Sequence, residues 1–183
     1  MQKVQFGLHQ PVPLWIESTW VDADGTVYAW YHHEPGGLCG KMDLTAPKIG
    51  ALVSRDGGLS FDDLGFVLES ADPVDCSSQN GYFAGGNGDF SVILDRERKY
   101  FYFLFGNYGG DLSGQGLGIA RMEFDRRRQP AGSVWKYFNG GWTEAGLGGR
   151  VSPVFPARVS WSREDADAFW GPPFTGTPRL TRT

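Results

Sequence analysis

Two stretches of this chain, 73 residues apart, pass through the same succession of short apolar runs and turns. The first has a run at 16–21, a turn at Asp22-Ala23-Asp24-Gly25 and a return along 26–31. A long loop rich in Gly and Pro then leads to a run at 49–54, the turn Asp56-Gly57-Gly58 and a run from Phe61 onward. The second has a run at 90–94, a turn at Asp95-Arg96-Glu97-Arg98 and a return along 100–105. A Gly-rich loop leads on to 117–122, a turn and 134–138. Asp22 and Asp95 hold the same place in the two halves. Each run is strand-length and rich in β-branched or aromatic residues, and helical periodicity is nearly absent. A chain of this kind folds as an all-β protein.

Recurrence of a four-stranded antiparallel unit is the habit of a β-propeller, whose blades are such sheets. The sequence predicts one partial propeller domain over 1–183, with one repeat at 14–75 and another at 88–150. A third unit starts at 151–172, and a tail occupies 173–183. The repeat exceeds the roughly 40–50 residues of common propeller repeats, with the excess in loops. A ring needs about four blades to close. Two blades and part of a third are therefore expected either to be a fragment of a larger ring or to self-associate through exposed blade edges.

Composition narrows the function. With 40% hydrophobic and 15% aromatic residues the chain can build a core. A net charge of −4 argues against a nucleic-acid partner, which calls for a basic face. The run Arg126-Arg127-Arg128, between Asp125 and Pro130, reads as a solvated turn. No apolar run approaches the ~20 residues that span a membrane. The first six residues lack the apolar stretch of a secretory signal, which leaves the compartment open. Cys39 and Cys76 read as free thiols or as a single bridge in an oxidising compartment. No Gly-x-Ser-x-Gly elbow is present and neither cysteine has a motif around it, so serine and cysteine hydrolase chemistry is not expected.

The sharpest local pattern is Ser54-Arg55-Asp56-Gly57-Gly58-Leu59-Ser60-Phe61. Asp-Gly-Gly between two strands makes a tight hairpin, and Ser and Asp side chains can bond the turn backbone. The stretch resembles the Asp box of sialidases and related propellers at every defining position. In that family the box is structural, and the resemblance implies the same for Asp56. A sialidase proper also needs an arginine cluster and a tyrosine nucleophile, and no such set is assignable among Arg55, Arg121, Arg150 and Arg158.

Gly88-Asp89-Phe90-Ser91-Val92, followed by an aromatic return strand, resembles the inner-strand pattern of five-bladed glycoside hydrolase propellers of family 43 and its relatives. Phe90 stands where that pattern usually has proline. The resemblance implies that Asp89 opens an inner strand and points into a central funnel. Glu17, in Trp15-Ile16-Glu17-Ser18, holds the corresponding place in the first repeat, give or take one residue. Glycoside hydrolysis needs two carboxyl groups flanking the bond, so Asp89 and Glu17 are the expected catalytic pair.

Expected substrate contacts are His32 and His33, which strand alternation sends to opposite faces, with Tyr82 and Asn87 on the Gly-rich loop entering Asp89. Trp170, in the start of the third unit, is a further candidate as a sugar platform, set against plain core packing. No third ligand is spaced to join the adjacent histidines, so neither metal nor cofactor is expected. The sequence thus predicts a glycosidase-like propeller acting on an oligo- or polysaccharide. A carbohydrate-binding propeller without turnover is the alternative.

Overall fold

The computed structural model describes residues 5–7, as backbone only, and 14–166. Within them the chain is all-β, with three short turns of 3-10 helix. Strands β2 (Leu14–Val21), β3 (Val27–His33), β4 (Lys48–Ser54) and β5 (Ser60–Leu68) form an antiparallel meander in sequence order. The short strand β1 (Gln5–Gly7) lies parallel to β5 at its outer edge. A second meander runs through β6 (Asn87–Leu94), β7 (Tyr100–Asn107), β8 (Gly116–Glu123), β9 (Val134–Phe138) and β10 (Gly141–Ala145). The two-residue strand β11 (Phe155–Pro156) adds to β8.

Period-2 alternation decides what each sheet buries. Tyr28, Trp30, Ala51, Val53 and Val67 of the first sheet meet Phe101, Phe103, Phe105, Ala120 and Met122 of the second in one core. The Trp30 ring lies 5.1 Å from Phe101 and 5.8 Å from Phe103, and Trp20 meets Phe101 edge-on at 5.4 Å. Such contacts add about 0.5–1.5 kcal/mol each to the burial itself. The opposite face of the first sheet carries Ala29, Tyr31, Leu52 and Phe61 in a separate cluster.

The turns give the relation between the two sheets. The β2–β3 turn closes through Asp22 N–H to the Thr26 carbonyl, and the β6–β7 turn through Asp95 N–H to the Tyr100 carbonyl. Counted from those bonds, Phe101, Phe103 and Phe105 correspond to Val27, Ala29 and Tyr31. The second sheet therefore turns toward the first the face that the first sheet turns away. The sheets stack head to tail rather than mirror-fashion.

The turns are held by side chains. Asp56 accepts the backbone N–H groups of Leu59 and Ser60, at 3.0 and 2.9 Å, and the Ser60 hydroxyl at 2.6 Å. Ser54 Oγ accepts the Gly58 N–H at 2.8 Å. The Ser60 and Ser54 bonds hold the Asp56 carboxyl well below the usual carboxylate range. The arginine run is less solvated than its sequence suggests. Arg127 makes a two-pronged bond to Asp22 at 2.8 and 2.9 Å, with its guanidinium 4.0 Å from the centre of the Phe124 ring. That clasp ties the β8–β9 connection to the turn of the first sheet, while Arg128 stays exposed.

The free-thiol reading of the cysteines is overturned, because Cys39 and Cys76 form a disulfide. The bridge joins the β3–β4 loop to the β5–β6 loop. A parallel pairing of Thr45 with Phe83 and bonds from Lys41 Nζ to the Cys76 and Ser78 carbonyls zip the same two loops together.

Candidate functional site

Both carboxylates singled out in the sequence stand on bulges. Ile16 pairs with Tyr31 and Ser18 with Trp30, which leaves Glu17 as the extra residue of β2. Gly88 pairs with Gly106 and Phe90 with Phe105, which leaves Asp89 as the extra residue of β6. A bulge re-aims one side chain and bends its strand. Asp89 has φ of 40°, a conformation that Asp tolerates better than most residues. The first strands of the two sheets pack together, and the two bulges turn their carboxyl groups toward one point.

His32 is at that point. It is almost fully buried on β3, with Nδ1 3.1 Å from Glu17 Oε1 and Nε2 3.4 Å from Glu34 Oε1. Glu17 Oε2 accepts the Phe90 N–H at 3.0 Å, and Ser18 Oγ accepts the Val92 N–H at 3.0 Å, so β2 and β6 are laced by side chains. Gly88 makes the approach possible, because a Cβ there would collide with His32 Nε2 and with Pro47. Beyond His32, Asp89 Oδ2 accepts the Tyr108 hydroxyl at 2.5 Å.

The electrostatics follow from three carboxyl groups around one imidazole. Burial disfavours the His32 cation, but the bond to Glu17 and the charges of Glu17, Glu34 and Asp89 outweigh it and raise the His32 pKa. Burial raises Asp89, partly offset by the Tyr108 bond and by His32. Burial also raises Glu34, against the pull of His32 and with added repulsion from Asp89 and Glu17. Burial thus works toward the neutral form at Asp89 and Glu34, while the surrounding carboxyl groups work toward the charged form at His32. Atoms of Glu17, His32 and Asp89 lie within 4.8 Å of one another, close enough to share one cation. His32 Nδ1 faces the Glu17 carboxylate and Nε2 faces that of Glu34.

The other expected contacts divide. His33 points the opposite way from His32, is buried and packs its ring 5.3 Å from Phe66. Asn87 is also fully buried, and its amide donates to the Gly86 carbonyl and to Asn107 Oδ1 at 3.1 and 2.7 Å. Both side chains thus lie inside the sheets, as His32 does. Tyr82 is more than half exposed on the β5–β6 loop, against Phe83. Trp170 lies outside the described residues. Sequence reasoning missed Glu34, Tyr108 and Trp15. Trp15 is 48% exposed at the start of β2, with its ring 6.1 Å from the His32 ring.

A cleft of about 390 Å³ opens along the same ends of the strands, lined by Asp72, Asn107, Asp111, Asn139 and Arg150 among others. None of Glu17, His32, Glu34 or Asp89 lines it. We place the candidate chemistry at the carboxyl cluster, where buried titratable groups converge, and not at this cleft. No helix among the described residues is long and apolar enough to cross a membrane. No protein-family model matches the chain, and a search of curated proteins finds no match.

Proposed function

We propose that the two sheets are neighbouring blades of a β-propeller that binds a glycan and cleaves a glycosidic bond, with Asp89 as proton donor and Glu17 as the second carboxylate. The observation that carries this reading is the convergence of two bulge-borne carboxyl groups, from corresponding strands of adjacent sheets, on one buried imidazole. The blade reading is supported by the sequential four-stranded meanders and their head-to-tail stacking.

A general acid must hold its proton near neutral pH, and burial favours that at Asp89. Glu17 is oriented by His32 and the Phe90 N–H, and each carboxylate oxygen keeps a further lone pair for a ligand. Its nearest oxygen lies within 4.8 Å of one on Asp89. That bound is short of the roughly 6.5–9.5 Å of glycosidases that invert configuration. Trp15 offers a flat apolar face beside the pair for a sugar ring.

A second reading, glycan binding without turnover, is favoured by the engagement of both Glu17 oxygens within the protein. One experiment separates the two. A panel of nitrophenyl glycosides and plant and microbial polysaccharides is assayed for turnover and, by calorimetry, for binding. Hydrolysis that falls by roughly 10²–10⁴-fold in Asp89→Asn, with binding retained, supports the enzyme. Binding without turnover by the wild type supports the second reading, and neither binding nor turnover rejects both.

A further inference from the structure

We infer that Tyr108 is a positioning residue for Asp89: its buried hydroxyl fixes one carboxyl oxygen, so that the acid proton sits on the other. The inference rests on the proton-donor role proposed for Asp89, and its test is independent of turnover.

The case starts from how firmly the ring is held. Tyr108 follows β7 and is 3% exposed. Its ring stacks on Phe83 at 4.2 Å with the planes 5° apart, and meets Trp161 at 4.5 Å. The backbone behind it is glycine, since a Cβ on Gly106 would lie within 2.5 Å of the ring. The neighbours are themselves pinned. Ser78 Oγ donates to the Phe83 carbonyl at 2.7 Å, the Trp161 N–H donates to Gln115 Oε1 at 2.8 Å, and Asn80 Nδ2 donates to both the Phe83 and Trp161 carbonyls. Three separate stretches of chain thus hold one ring.

A phenylalanine would fill that cradle equally well. The hydroxyl is the part that packing does not use, and burying it without a partner is costly. Its bond is to Asp89 Oδ2 at 2.5 Å. An O–H donated to a carboxylate favours the charged form, which tempers the effect of burial on Asp89. It also settles which oxygen carries the proton. With Oδ2 accepting from Tyr108, the hydrogen resides on Oδ1. The charged and titratable groups that face Asp89 are Tyr108 after β7, His32 on β3, Glu17 on β2 and Glu34 beyond β3. Of these, Tyr108 donates a bond to Asp89 and carries no charge of its own, so its removal changes the hydrogen bond and leaves the charge count intact.

The test is Tyr108→Phe in the full chain, labelled with ¹³C at the aspartate carboxyl carbon. The Asp89 resonance is assigned by its loss in Asp89→Asn. The inference expects the Asp89 titration to move to higher pH in Tyr108→Phe, with thermal stability close to wild type. Where the wild type turns over a glycoside, kcat falls on the order of tenfold, less than loss of the acid itself costs, and the basic limb of kcat/KM moves up. An Asp89 titration that stays in place, or moves down, overturns the inference whether or not turnover is found. Absence of turnover with an upward-moving titration rejects the hydrolase reading and keeps the Tyr108–Asp89 coupling. If Tyr108→Phe is destabilised, the same titration is read in Phe83→Leu, which loosens the ring and keeps the hydroxyl. There a titration unchanged from wild type also overturns the inference.

Discussion

Removing the disulfide is the perturbation whose size the structure fixes best. Cys39 and Cys76 are 37 residues apart and join two loops at the end of the sheets that carries the carboxyl cluster. Chain entropy assigns a cross-link of that span about 13 cal/mol/K, or roughly 4 kcal/mol at 25 °C, through restriction of the unfolded chain. For a chain of this length each kcal/mol shifts the melting temperature by about 2–4 °C, so a loss of roughly 8–16 °C is expected. The clean comparison is the double variant Cys39→Ser/Cys76→Ser against oxidised wild type, which leaves no lone thiol. Urea unfolding followed by tryptophan fluorescence gives the midpoint and slope, and far-ultraviolet circular dichroism checks that the transitions coincide. The folded loops keep the Thr45–Phe83 pairing and the Lys41 bonds, so the loss is expected in the unfolding free energy and not in the folded spectrum. A double variant within about 0.5 kcal/mol of wild type would refute the reasoning, since the cross-link would then add nothing beyond the loop contacts.

Two further predictions concern buried polar groups. Lys136 is fully buried on β9, its ammonium donates to the Glu69 and Gly149 carbonyls at 2.7 and 2.9 Å, and burial lowers its pKa to about 7, against the charges of Asp72, Glu69 and Glu144. A folded pKa below the unfolded one means that the unfolded chain binds more protons between about pH 7 and 10. The stability of wild type relative to Lys136→Met should therefore rise with pH across that window and be flat below it; a difference independent of pH rejects the assignment. Gly88→Ala pushes a methyl group into His32 Nε2 and Pro47, so thermal melting should fall and the His32 titration, read by NMR, should shift; an unperturbed His32 would show that the cluster is looser than described.

The all-β class and most strands were legible because strands announce themselves locally. The runs that became β2 to β4 and β6 to β9 alternate apolar residues and end at Asp- or Gly-bearing turns, and their predicted bounds shift by no more than about three residues. Strand β10 went unread because Gly141-Trp142-Thr143-Glu144-Ala145 has too little apolar content to stand out, and it forms by pairing with β9. Of the candidate site, Asp89 was singled out by a resemblance and Glu17 by its place in the repeat. The bulges could not, since an extra residue in a ladder is defined by the partner strand. Glu34 and Tyr108 enter through contacts with His32 and Asp89 that strand register creates, 2 and 19 residues away in sequence. Asn87 looked like a ligand because loops usually lie at the surface, whereas here the Gly-rich approach delivers it into the sheet against Asn107.

The head-to-tail stacking has a consequence for how such a chain arises. A unit whose two faces differ, yet fit one another, already contains both halves of its own interface. Tandem duplication of a single ancestral gene segment then supplies a matched neighbour at once, with no new surface to evolve. Corresponding places carry different residues, Tyr31 in the first sheet and Phe105 in the second. The first sheet has His32 where the second has Gly106, so the two can differ in chemistry while sharing one mode of stacking.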